Sequence, residues 1–135
     1  MPWGRIRTEF PSGPSMEVAL PSQENEIHDG MLTLVVEREG DTRCIRLAGE
    51  LDLASAGALD IELGDALAEG QCQILVDMRE LTFIDSTGIA IVVSALGRDL
   101  EGRRLRFIPS RAPAVSRVLQ LTGVEERLPL AADAE

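Results

Sequence analysis

The chain has 135 residues, 44% of them apolar and 27% charged, which leaves room for one domain with a real core and matches an ordinary globular balance. A formal net charge of -10 repels polyanions, and all thirteen basic residues are Arg, so nucleic acid is disfavoured as a direct partner and a basic or cationic surface is favoured. No apolar run approaches the roughly 20 residues of a membrane helix, and the first residues lack a signal peptide's hydrophobic region, so the expectation is a cytoplasmic protein with no membrane partner.

Residues 1 to 29 hold Pro2, Pro11, Pro14 and Pro21 with little periodicity, which predicts a disordered N-terminal leader. Trp3 and the single histidine, His28, fall inside it, and Met16 and Met31 leave a later translation start open. The folded domain is expected over residues 30–130, with a flexible acidic tail over 131–135.

From Met31 the pattern changes. Leu32, Leu34 and Val36 alternate with Thr33, Val35 and Glu37, a turn follows at Glu39-Gly40-Asp41, and Ile45 and Leu47 flank Arg46, which reads as a hairpin. Gly49-Glu50-Leu51-Asp52 is expected to break the second strand. Leu53 to Ala68 then carries Ala56, Leu59, Leu63 and Leu67 at helical spacing, with Asp52 or Ser55 as the cap and Gly70 as the stop. Cys72 to Met78, with Ile74-Leu75-Val76 consecutive, suits a central strand covered on both faces and ending at Asp77.

Leu81 to Val93 is the stretch that organises the rest. The polar turn Asp85-Ser86-Thr87-Gly88 leads into Ile89, Val92, Val93, Leu96 and Leu100 on one helical face, so a loop feeds the N-terminus of a helix running from about Ser86 to Leu100. Such an end has unpaired N–H groups and partial positive charge, which suits a capping side chain or an anion such as a covalent phosphate on Ser86. Asp, Ser and Thr are also the ordinary helix-capping residues, so the local pattern leaves both readings open. Leu105 and Phe107 lead a further strand, and Ser110 is expected to cap a third helix with Pro113 in its first turn, Val115, Val118 and Leu119 inward and Gly123 at its end. The predicted fold class is α/β: a small mixed sheet, parallel in its later strands, with packed helices.

The residues argue against several chemistries. A Ser86 nucleophile needs a nearby base, and the only histidine is in the expected leader; no Lys exists for a Ser-Lys pair, and the surroundings of Ser86 are not a Gly-x-Ser-x-Gly elbow. A serine hydrolase is therefore the weakest reading, and no enzyme activity is expected. There is no nucleotide-binding Gly-x-x-x-x-Gly-Lys loop. Asp52, Asp77 and Asp85 are conceivable magnesium ligands but read more naturally as caps, and Cys44 and Cys72 lack ligand spacing, so no cofactor or metal is expected. The two cysteines read as small core residues in a reducing compartment. Six Arg (Arg98, Arg103, Arg104, Arg106, Arg111, Arg117) cluster late in the chain, as a patch or, more commonly, a solvated rim.

Gly49-Glu50-Leu51-Asp52 after a strand, Leu75-Val76-Asp77-Met78, and Leu81-Thr82-Phe83-Ile84-Asp85-Ser86-Thr87-Gly88 before a helix resemble the STAS domain of bacterial anti-sigma factor antagonists over about residues 31–130. The resemblance implies a regulator whose unmodified form binds an anti-sigma factor that is also a serine kinase, so that a sigma factor is released. It implies phosphorylation at Ser86, which reverses binding, and reactivation by a serine phosphatase. Asp52, Asp85, Ser86, Thr87 and Gly88 match the partner-binding positions, while Ala90 stands where many members have a second Gly. The alternative is a STAS scaffold or ligand-sensing module that is never phosphorylated.

Overall fold

The computed structural model describes residues 23–70, 72–102 and 104–131. Strands β1 (Gln23–Asp29), β2 (Leu32–Glu39) and β3 (Thr42–Leu51) are followed by α1 (Ala56–Ala68), β4 (Gln73–Ile84), α2 (Ser86–Arg98), β5 (Leu105–Ile108), α3 (Pro113–Leu121) and a short 3-10 turn, Glu125–Arg127. The five strands form one sheet in the order β1-β2-β3-β4-β5. Short turns make β1, β2 and β3 antiparallel, whereas β3 to β4 and β4 to β5 are joined through helices and run parallel.

Alternation decides what is buried. In register, Val36 lies beside Ile45, Ile45 beside Val76 and Val76 beside Phe107, so one apolar row crosses four strands. Those residues and their neighbours Leu34, Leu47, Ile74 and Leu105 are buried, and they join Leu59, Leu63 and Ala66 of α1, Ile89, Val92 and Ala95 of α2, and Val115 and Leu119 of α3 in one core. Each buried Val, Leu, Ile or Phe side chain among them contributes about 1.5–3 kcal/mol. The mixed sheet with parallel later strands is the expected one.

Several boundaries move. Gln23–Asp29, expected as the end of the leader, is strand β1, paired along its length with β2. It lies at the sheet edge and contributes only the half-buried Ile27 to the core, so it has no apolar alternation to announce it. The rest of the expected leader, residues 1–22, lies outside the described residues. At the other end Ala131 N donates to Phe107 O at 3.0 Å, so the chain is still hydrogen-bonded at the first residue of the expected tail; 132–135 lie outside the described residues.

Strand β3 does not break at Gly49 but runs to Leu51, with pairing irregularities against β4 at Arg46/Ala48 and Gly49/Glu50. Gly49 is there because the backbones nearly touch: its φ is 105°, and a Cβ would lie 2.1 Å from Met31 O. Strand β4 likewise continues past Asp77 to Ile84; Asp77 and Met78 are buried, Arg79 and Glu80 at the irregularity are not, and Leu81 and Ile84 return to the core. In the sheet order β3 is the middle strand, with β4 its parallel neighbour.

Helix α1 starts three residues later than expected, leaving Leu53 outside it, and α2 ends at Arg98, leaving Leu100 91% exposed. The N-cap of α3 is Ala112, with Pro113 at the first helical position. Ser110 instead donates to Leu81 O at 2.7 Å and accepts from Ala112 N at 2.9 Å, tethering the segment to β4. Among the late arginines, Arg104 is structural: its guanidinium donates to Ala66 O, Leu67 O and Cys72 O at 2.8–2.9 Å, closing the C-terminal end of α1. Cys72 is buried and Cys44 half-buried, both as free thiols.

Candidate functional site

Leu51 and Ile84 are register partners at the last positions of β3 and β4, so the loops that follow these parallel strands leave the same end of the sheet side by side. Asp85 joins them. Its N–H donates to Leu51 O at 3.2 Å, and its side chain reaches Leu53 N through Oδ2 at 3.3 Å. Its other carboxylate oxygen accepts from Thr87 N at 2.9 Å and Gly88 N at 3.1 Å, with the backbone extended at φ -116° and ψ -172°. Asp85 is therefore the N-cap of α2.

Ser86 is not the cap. It is the first residue of α2, exposed, and among the described residues its hydroxyl has no hydrogen-bond partner. The expectation that helix N–H groups would hold a phosphate on Ser86 needs correcting, because those of Thr87 and Gly88 are already taken by Asp85. What the helix end still supplies is its positive field. Thr87 is half-buried, and Gly88 is buried where nothing larger fits: a Cβ would lie 2.8 Å from Ile84 Cγ1 and 2.8 Å from Leu51 Cγ.

Asp52 lies in the neighbouring loop but makes no hydrogen bond to Asp85 or Ser86 among the described residues. Its Oδ1 accepts from Ala54 N at 3.1 Å, so it folds its own loop. Ser55 occupies the N-cap position of α1 without making a side-chain cap bond; its hydroxyl donates to Glu50 O at 2.8 Å and accepts from Asp52 N at 3.0 Å.

Three residues that the sequence reading passed over stand around this end of the sheet. Leu53 is 79% exposed, Met31 68% and Phe83 43%. Leu53 is held by Asp85, Met31 O accepts from Glu50 N at 3.0 Å, and Phe83 is the register partner of Glu50, so the three belong to adjoining segments. Apolar residues look like core in a sequence; only the fold shows that these three are left outside it.

The acids do not converge. Asp77 is bound by Arg79, whose N, Nε and Nη2 all donate to its carboxylate at 2.8–3.1 Å. Burial pushes the Asp77 carboxyl up, but the hydrogen bonds and charge of Arg79 outweigh it and hold it below the usual carboxylate range. With Asp52 and Asp85 engaged separately, no group of three His, Cys, Asp or Glu among the described residues is placed to hold a metal. His28 sits in β1 with Nδ1 3.2 Å from Thr33 Oγ1 and Nε2 3.2 Å from Glu26, so it is no base for Ser86. Burial raises the Cys44 thiol, which leaves it mostly protonated. No helix among the described residues is long and apolar enough to cross a membrane.

A family model described as "Mlab, STAS domain" matches residues 34–131. The anti-sigma-F factor antagonist RsfB of Mycobacterium tuberculosis is 23% identical over 96 residues, spanning 70% of this chain and 77% of that protein. An anti-sigma F factor antagonist of Paenibacillus polymyxa is 26% identical over 104 residues, or 73% of this chain and 86% of that one. In three dimensions, an anti-sigma factor antagonist from Mycobacterium paratuberculosis superposes with a TM-score of 0.66 at 25% identity, covering 75% of this chain and 86% of the other. The match of the family model over most of the described residues settles the family: this chain belongs to the STAS-domain proteins.

Proposed function

We propose that this protein is an anti-sigma factor antagonist that works in the cytoplasm as a partner switch. In its unmodified form it binds an anti-sigma factor serine kinase through the end of the sheet that carries Asp52, Asp85, Ser86, Thr87 and Gly88, and a sigma factor is freed. The kinase phosphorylates Ser86, binding is lost, and a serine phosphatase restores it. The names of its relatives, anti-sigma factor antagonists, support an anti-sigma factor as the partner. The second half rests on one observation: Asp85 caps α2, so Ser86 is left exposed with an unengaged hydroxyl.

The apolar surroundings give the switch its direction. A phosphoserine carries about 1.5 to 2 negative charges at pH 7. Placed beside Asp85, at the end of the sheet that also exposes Leu53, Met31 and Phe83, that charge would have to be desolvated whenever a partner covered this end. A misplaced interfacial charge costs on the order of several kcal/mol, and each 1.4 kcal/mol is about tenfold in affinity, so a loss of roughly a hundredfold or more is expected.

A pair of variants tests this, with candidate anti-sigma kinases, ATP and intact-mass analysis. Ser86→Ala should fold, bind the kinase and stay unmodified however long it is incubated. Ser86→Asp should fold and fail to bind, although a single Asp charge mimics only part of a phosphate. Equal binding by wild type and Ser86→Asp, or phosphate appearing elsewhere in Ser86→Ala, would defeat the assignment.

A further inference from the structure

Helix α1 lacks a cap of its own, because the Ser55 hydroxyl is spent on Glu50 O and Asp52 N. The N–H of Ala58 in its first turn is instead accepted by Asp29 Oδ2, at 3.2 Å, from the end of β1 and 29 residues away in sequence. The β1–β2 turn is pressed against the same region: a Cβ on Gly30 would lie 3.4 Å from Ala54 O and from Ser55 Cβ, and Met31 O accepts from Glu50 N. On its other side the loop is held by Asp85 through Leu53 N. Two carboxylates, Asp29 at the end of β1 and Asp85 just after β4, thus each cap a helix, and the loop between Leu51 and Ala56 is held by Asp85 at Leu53 and by Asp29 through the first turn of α1.

We propose that Asp29 is a positioning residue for the partner contact: with Asp85 it clamps the β3–α1 loop so that Leu53 is presented next to Ser86. This inference rests on the partner-switch reading for its consequence, but the clamp is a property of the chain alone. The division of labour follows from the chemistry. A phosphate on Ser86 lies beside Asp85 and weakens that side of the clamp by like-charge repulsion, while Asp29 keeps the loop and α1 in place. Strand β1, at the sheet edge, is then a working part of the site.

The test uses the full chain as wild type, Asp29→Ala, Asp29→Asn and, as a control on the same strand, Glu24→Ala. Amide hydrogen exchange is read at Ala58 and Leu53, and the KM and kcat of an anti-sigma kinase are read for phosphorylation of Ser86. Loss of a cap of ordinary strength predicts exchange about tenfold faster at both amides in Asp29→Ala. It also predicts a KM raised by about tenfold with kcat unchanged, because the hydroxyl itself is untouched. Asp29→Asn keeps an oxygen able to accept the Ala58 N–H and should stay within about threefold of wild type, and Glu24→Ala should match wild type. Faster exchange at Ala58 alone, with Leu53 and KM unchanged, would overturn the proposal and leave Asp29 a plain helix cap. If both amides respond as expected but no kinase binds or modifies even the wild type, the clamp stands and the partner-switch reading falls.

Discussion

At the scale of single residues, the motif divides its labour. Asp85 satisfies the helix end, Ser86 is released to the surface, and Gly88 lets the first turn of α2 sit directly on Leu51 and Ile84. The Gly88 contact is sensitive to substitution, since both neighbours are buried and a Cβ would lie 2.8 Å from Leu51 Cγ and from Ile84 Cγ1. Gly88→Ala should destabilise by about 1–3 kcal/mol, the range for overpacking a filled core. A urea midpoint lowered with an unchanged m-value would show it. An unchanged midpoint would mean that the first turn of α2 has room to move away, and that Gly88 is required for something other than packing.

At the scale of elements, the sheet edge matters more than its composition suggests. Strand β1 adds a full row of antiparallel pairing to β2 and supplies the Asp29 cap, so removing it costs both. A chain beginning at Met31 should melt below one beginning at Gln23 by at least about 5 °C, since roughly 1 kcal/mol shifts a domain of this size by about 4 °C and a cap alone contributes about that much. Equal melting temperatures in a thermal scan would return β1 to the leader. The sequence reading placed the boundary at residue 29 because its measure was apolar alternation, which an acidic edge strand with one half-buried Ile27 does not offer. Asp29-Gly30 ahead of an alternating run was the usable signal: Asp29 pairs with Leu32, so Gly30-Met31 is a two-residue hairpin turn, as Gly40-Asp41 is between Glu39 and Thr42. The same measure succeeded for β2, α1, α2 and β5, whose buried faces carry periodic apolar residues. It failed at Asp77 and Gly49, where pairing irregularities imitate strand ends, and at Leu53 and Leu100, which lie on the helical period but outside the helices. For the candidate site, Asp85 to Gly88 stood out through local order and spacing, whereas the Asp29 cap and the apolar surroundings depend on chain segments that meet only in the fold.

At the scale of the whole molecule, the site lies where two loops leave the sheet, and Ser86 stands outside the core that reaches this end through Leu51, Ile84 and Ile89. Under the proposed switch, a phosphate on Ser86 would therefore sit apart from the row from Val36 to Phe107 that crosses the middle of the sheet. Two local effects oppose each other there. The field of the α2 N-terminus favours the added charge by about 0.3–2 kcal/mol, and the Asp85 carboxylate, already bound to Thr87 N and Gly88 N, repels it. With these nearly cancelling, the net change in stability should stay under about 1 kcal/mol, equivalent to a melting shift of about 4 °C or less. Partner affinity, in which the charge must also be desolvated, should fall by about a hundredfold or more. Melting curves and titrations of the same phosphorylated preparation measure both. A fall of more than about 10 °C would mean that the phosphate breaks the Asp85 cap and unwinds the first turn of α2. The switch would then operate by changing the fold locally rather than by placing a charge on an otherwise unchanged contact face.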